Sequence, residues 1–221
     1  MKFLSAGPAF IDTVDSLKTE FSSDSSNTLV VLGAYHFSTA LGKSFSELRE
    51  SYKSDKIILF NQEQLHAKQR NFCTNEYLDW LRQADEVWDY DECNFDILTK
   101  LNPNVKLHLL QPYKDWTVYK PMEKDIDILF YGAMNPHRSY LLSKLSEKYH
   151  VCVLQNEWHR LDEFILRSKI LLNIHFYYEC ALQEQARMIR WIGAPCKILS
   201  ERSVKNYLGV EELDYMELLN L

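Results

Sequence analysis

No apolar run in this sequence approaches the ~20 residues that a membrane-spanning helix requires, so no membrane span is expected. Basic clusters are equally missing. Lys and Arg total 25 against 31 Asp and Glu, a net charge of −6, which argues against nucleic-acid binding by phosphate neutralisation. The first residues, Met1-Lys-Phe-Leu-Ser-Ala-Gly-Pro8, turn polar too soon for a secretory leader. The five cysteines (Cys73, Cys93, Cys152, Cys180 and Cys196) are scattered and form no C-x-x-C pair. Zinc-knuckle and redox motifs are therefore unsupported, and reduced thiols in a cytoplasmic protein are expected. Seven histidines lack ligand spacing, so no metal site is expected. Neither a G-x-S-x-G elbow nor a phosphate-loop lysine motif occurs, which disfavours the corresponding hydrolases and NTPases.

What is present is a repeated alternation of short apolar runs with helix-forming segments. Apolar runs at 28–33 and 56–61, and shorter mixed segments at 86–90 and 106–110, predict strands. The intervening segments 44–52, 74–84 and 91–101 predict helices, with an earlier helix over 10–21. Ser44 with Glu47 reads as a capping box. Residues 111–124 contain Pro112, Trp116 and Pro121, show no periodicity, and read as a linker. The rhythm then restarts: strands at 127–132, 151–154, 169–176 and 196–200, and helices at 135–149, 161–168, 184–191 and 211–219. Apolar strands without alternation indicate parallel sheets covered on both faces. The expected fold is α/β, with two small Rossmann-like doubly wound halves, 1–115 and 116–221, facing a cleft. A single larger sheet is the alternative. The 13 Tyr, 11 Phe and 5 Trp suit sugar or base stacking and plain packing alike.

Ligands of open parallel sheets bind beyond the carboxyl ends of the strands, beside helix N-termini. Asn173 and His175 stand at such an end. Glu184 and Arg187 follow three apart on the next predicted helix, either as a surface ion pair or as a site. Gly132-Ala-Met-Asn-Pro-His-Arg138 follows a strand and opens a helix, so Gly132, Asn135 and Arg138 could cradle a phosphate. A plain strand-to-helix turn explains the same residues, because the further glycines of the dinucleotide fingerprint are missing. His36 and Glu63 each follow a strand of the first half and are rival candidates for a general base. The acidic run Asp85–Glu92 reads as a short edge strand and a charged helix start rather than a cation site.

Several segments carry a family resemblance: Phe60-Asn-Gln-Glu-Gln-Leu65, Ala84–Tyr90 with Asn94, Asp125–Gly132 with Asn135 and Arg138, Ser168–His175, Glu184-x-x-Arg187 and Leu199-Ser-Glu201. Together they resemble glycosyltransferases of the two-Rossmann (GT-B) type, in particular small bacterial and viral family 1-like proteins. The resemblance implies a metal-independent transferase without a cofactor, moving sugar from a nucleotide-diphosphate-sugar to a hydroxyl acceptor such as a glycan. Gly132, Asn135 and Arg138 would lie by the diphosphate and Asn173 and His175 in the donor pocket. Glu184 would take the ribose hydroxyls, Ser200 and Glu201 would close the edge, and His36 or Glu63 would serve as base. A non-catalytic nucleotide- or sugar-binding module, or an interaction domain, are the alternatives.

Overall fold

Each apolar run becomes a parallel strand in the computed structural model, and the strands assort into two five-stranded sheets. The structure describes residues 1–53, 55–66, 73–155, 157–177 and 181–221. Two compact units meet in sequence between Gln111 and Pro112.

The first unit runs β1 (Lys2–Ser5), α1 (Ile11–Glu20), β2 (Thr28–Leu32), α2 (Phe45–Ser51), β3 (Lys56–Asn61), α3 (Asn75–Gln83), β4 (Glu86–Asp89), α4 (Phe95–Leu101) and β5 (Val105–Leu107). Its strands lie in consecutive order, β1-β2-β3-β4-β5. β2 and β4 are buried along their whole length and β3 in all but Lys56, which explains why their sequences do not alternate. Successive side chains point to opposite faces. On one face Phe60 and Trp88 are in register, and Phe21, just past α1, stacks on Trp88 at 5.6 Å. On the other face Asn61 pairs in register with Asp89, and α3 lies there, donating the Tyr77 hydroxyl to Asn61 Oδ1 at 2.6 Å. The strands all step one way, so this sheet, unlike the doubly wound one expected, has no point of reversal. The Ser44–Glu47 capping box is formed.

One local expectation is corrected, and two elements are additional to those expected. β4 is not an edge strand, because β5 pairs outside it. Residues 36–40 form a single π-helical turn instead of a loop. β1 is an additional strand; its four residues are too few to show a pattern, and it is fixed by pairing with β2.

The second unit runs β6 (Ile126–Tyr131), α5 (Pro136–Leu145), β7 (Val151–Leu154), α6 (Leu161–Arg167), β8 (Ser168–Asn173), a one-turn α7 (Gln185–Met188), β9 (Lys197–Glu201), β10 (Glu211–Leu213) and α8 (Tyr215–Leu219). The strand order is β10-β9-β8-β6-β7. The chain steps from β6 outward to β7, then returns past β6 to β8. Right-handed crossovers in opposite directions put α5 and α6 on opposite faces. The cores agree: Phe130, Leu141, Leu145 and Leu218 pack together, and Tyr131, Leu161, Ile165 and Trp191 form a separate cluster. Residues 211–213, expected to start a helix, pair with β9 instead, and the helix begins at Tyr215.

The segment expected as a linker is docked on this unit. Asp162 accepts from Lys114 Nζ at 2.5 Å, the Tyr119 hydroxyl at 3.0 Å and Arg190 Nε at 2.8 Å. Trp116 Nε1 donates to the Arg190 carbonyl at 2.9 Å.

Among the described residues no helix is long and apolar enough to cross a membrane. Cys73, Cys93, Cys152 and Cys196 carry free thiols; Cys180 lies outside the described residues.

Candidate functional site

A doubly wound sheet opens a crevice where the strand order reverses. In the second unit that point lies between β6 and β8, and the segments following these strands, with the end of β9, carry nine of the sequence-predicted residues.

The turn after β6 begins at Gly132, whose φ is +140°. A Cβ built there would stand 3.1 Å from Arg187 Nη2, so glycine lets the guanidinium lie against the turn. Asn135 caps α5, accepting from the Arg138 amide at 2.9 Å, and donates Nδ2 to the Phe176 carbonyl at 2.7 Å. One carboxamide therefore ties the start of α5 to the segment after β8.

Arg138 turns inward and is 1% exposed. Its Nε and Nη2 donate to the Ile174 carbonyl at 2.9 and 2.6 Å, Nη1 to the Ala133 carbonyl at 2.7 Å, and Nη2 to Glu184 Oε1 at 3.0 Å. Burial, then the like charge of Arg187, brings its pKa down to about 9, against the pull of Glu184 and Glu201; it stays protonated at neutral pH. Arg138, expected beside a phosphate, here uses its donors to hold the walls of the crevice together.

Glu184 sits between two cations. Oε1 takes Arg138 and the Phe176 amide at 3.1 Å, and Oε2 meets Arg187 Nη2 at 2.5 Å. Burial raises the pKa of this carboxyl, but Arg187 and Arg138 more than offset it, and the net shift is downward. Its side chain is 13% exposed and that of Arg187 15%, so this is no surface pair. Nor does Glu184 lie inside a helix: it precedes α7, which lasts four residues. The cause is visible just upstream. Ala181 adopts φ +36°, and buried Gln183 donates to Asn206 Oδ1 at 2.8 Å and accepts from the Leu208 amide at 2.9 Å. These bonds hold 181–184 out of helical geometry.

Arg187 Nη1 donates to Asn173 Oδ1 at 3.2 Å, and Asn173 Nδ2 donates to Ser200 Oγ at 2.9 Å. Asn173 and Ser200 are fully buried; they brace β8 against β9 rather than line a surface. The His175 amide donates to Glu201 Oε2 at 2.9 Å, and its ring Nε2 faces the Arg202 carbonyl at 3.1 Å. Its buried Nδ1 has no partner among the described residues. Glu201 also meets His137 Nε2 at 3.0 Å. Burial would raise the Glu201 carboxyl; His137 and nearby His175 reverse this, and the net shift is downward. His137, stacked on Tyr215 at 4.6 Å, is missing from the sequence-predicted set. Its place beside Pro136 at a helix start was the only signal, and its partner lies 64 residues away.

In the first unit His36 opens the π-helical turn after β2, edge-on to Phe10 and Tyr35. Glu63 follows β3. Its amide donates to Asn61 Oδ1 at 3.2 Å, and its carbonyl accepts from Asn61 Nδ2 at 3.0 Å and Asn94 Nδ2 at 3.1 Å. Among the described residues no group of three or more His, Cys, Asp or Glu side chains is placed to hold a metal ion.

No protein family model matches the chain. Similar proteins come from Acanthamoeba polyphaga mimivirus. "Uncharacterized protein L140" is 28% identical over 161 residues, covering 69% of this chain and 50% of its own length. "Uncharacterized protein L137" is 28% identical over 159 residues, covering 67% and 21%. "Uncharacterized protein R358" is 30% identical over 132 residues, covering 60% and 45%. The chain spans half or less of the length of each of these relatives.

Proposed function

We propose that the protein is a glycosyltransferase whose second unit binds a nucleotide-diphosphate-sugar at the β6/β8 crevice. The observation that carries this reading is the convergence of Gly132, Asn135, Arg138, Asn173, His175, Glu184, Arg187, Ser200 and Glu201 at one sheet edge. Arg187 and the turn at Gly132 are the phosphate-facing elements in this reading. The Glu184 carboxylate, which retains acceptor capacity beyond its three donors, is the ribose-facing one. Main-chain amides and Arg187 would stabilise the departing diphosphate without a metal ion. His36 and Glu63 of the first unit are the candidate bases for the acceptor hydroxyl.

The test is a thermal-shift panel of UDP, GDP, CDP and dTDP with their common sugars, with and without magnesium. A ligand that binds the native state raises Tm, increasingly so as its concentration exceeds the dissociation constant. One nucleotide is expected to raise Tm with or without chelator, and its sugar form then enters a transfer assay. A flat panel overturns the reading. Donor binding without turnover would favour a binding module, as suits a site whose charges are largely satisfied internally.

A further inference from the structure

A second polar network lies at the carboxyl ends of β3 and β4, and no role above is assigned to its centre. Asp89 is fully buried. Its Oδ2 accepts from Asn61 Nδ2 at 2.6 Å and Asn94 Nδ2 at 2.9 Å, and its Oδ1 from the Asp91 amide at 2.8 Å. The same two carboxamides make all three main-chain bonds to Glu63 described above, and Asn94 Oδ1 accepts from the Leu65 amide at 3.1 Å.

We propose that Asp89 is a positioning residue: its carboxylate orients Asn61 and Asn94, these hold the Glu63 segment, and protonation of Asp89 releases it. The argument is one of donor and acceptor counting. Every group that meets the carboxylate is an N–H donor. A neutral carboxyl must place its own proton on an acceptor; a carboxamide that turns over supplies one, in competition with Asp91 Oδ2, which is buried without a partner among the described residues. Turning Asn61 withdraws the acceptor used by the Glu63 amide and the Tyr77 hydroxyl. Turning Asn94 withdraws the acceptor of the Leu65 amide. Either way the segment carrying Glu63 loses one of its main-chain anchors.

The ionisable groups around this centre are Asp91 from the same loop, Tyr77 from α3, Glu63 from the segment after β3, and Cys73 just before α3. Burial pushes the Asp89 carboxyl up to about 7, with the three hydrogen bonds holding it back and Asp91 adding to the rise. Burial, then Glu63, Asp89 and Cys73, keeps the Tyr77 hydroxyl far above its ordinary value. Tyr77 is therefore a constant donor across the range in which Asp89 titrates.

The meaning of this coupling for catalysis rests on the transferase reading; the coupling itself does not. The test accordingly uses the ligand-free protein. Carboxyl carbon and amide resonances are followed by NMR from pH 8.5 to pH 5.5 in the wild type (window set by the pKa of about 7). The Asp89 Cγ resonance and the Glu63 and Leu65 amides are expected to move with one shared midpoint, and the Glu63 amide's protection, corrected for the intrinsic pH dependence of exchange, to fall severalfold on the acid side. In Asn94→Ala, which leaves the carboxylate in place and Asn61 as the carboxamide able to turn, the Glu63 amide response should persist and the Leu65 response disappear while Asp89 still titrates. A Glu63 amide that stays fixed while Asp89 titrates, or an Asp89 that does not titrate in this window, overturns the proposal.

Discussion

The two units put polar networks at the same place, the carboxyl ends of parallel strands, but build them from opposite materials. In the second unit charges answer charges: Arg138 and Arg187 flank Glu184, and His137 faces Glu201. In the first unit a single carboxylate is held by neutral amides. Strand order separates them as well. The first sheet is consecutive and has no reversal, whereas the second reverses at β6/β8. A reversal splays neighbouring connections and leaves a crevice, which is where the charged network sits. A consecutive order leaves no such opening, and its polar centre is sealed. A shared edge therefore does not fix the chemistry built on it.

Four measurements would break or sharpen this contrast. Glu184→Ala should have the largest effect, about 3–5 kcal/mol of stability in urea unfolding, because it strands Arg138 as an uncompensated buried charge. It should also abolish any nucleotide-induced rise in Tm. A loss confined to nucleotide response, with stability intact, would mean that Arg138 depends only on its carbonyl partners.

The pH dependence should carry opposite signs in the two units. The folded-state pKa of Asp89 is raised from 3.8 to about 7, so the folded state binds the extra proton between those values. Stability should fall as pH rises through that interval, by up to about 1.4 kcal/mol per pH unit. Glu184 and Glu201 are shifted downward from 4.5. Their contribution should be fully present above 4.5 and lost only as pH falls through the lower folded values. Protection from hydrogen exchange, corrected for intrinsic rates, should rise at Val87 between pH 7 and pH 5 while staying level at Leu171, and fall at Leu171 only below pH 4.5. Parallel curves would erase the distinction.

Gly132→Ala combines a left-handed backbone with a close approach to Arg187, and should cost about 1–3 kcal/mol while weakening nucleotide response more than Glu63 variants do. Thermal unfolding with and without the nucleotide found in the panel checks both effects. Tyr77→Phe should be mildest, about 1 kcal/mol in urea unfolding, since Asn61 Oδ1 keeps the Glu63 amide as a partner.

The strands were legible because parallel β-strands buried on both faces read as unbroken apolar runs, and every such run formed one. Lys2–Ser5 and Glu211–Leu213 were not legible: each is short, without an apolar run, and held by a neighbour distant in sequence. The helix expected over 184–191 forms only over Gln185–Met188. Its periodicity was genuine, but Gln183 is claimed by a loop some 23–25 residues downstream. At the candidate site, position along the chain identified which residues gather at the strand ends. It could not say which turn inward. Arg138 and Arg187 look alike in sequence, yet one is sealed behind carbonyls and the other reaches the turn. Asp89 was hidden within an acidic run, although Asn61 and Asp89, each ending a strand, hinted at a shared polar layer.

The Asp162 cluster bears on how this molecule can be divided. Lys114 and Tyr119 belong energetically to the second unit, although they precede its first strand by several residues. A cut between Asp115 and Trp116 would strip the lysine from Asp162 and leave Arg190 as its sole cation among the described residues. A C-terminal half prepared for separate expression, or grafted beside a different neighbour, therefore has to begin at Pro112 and carry this strap with it.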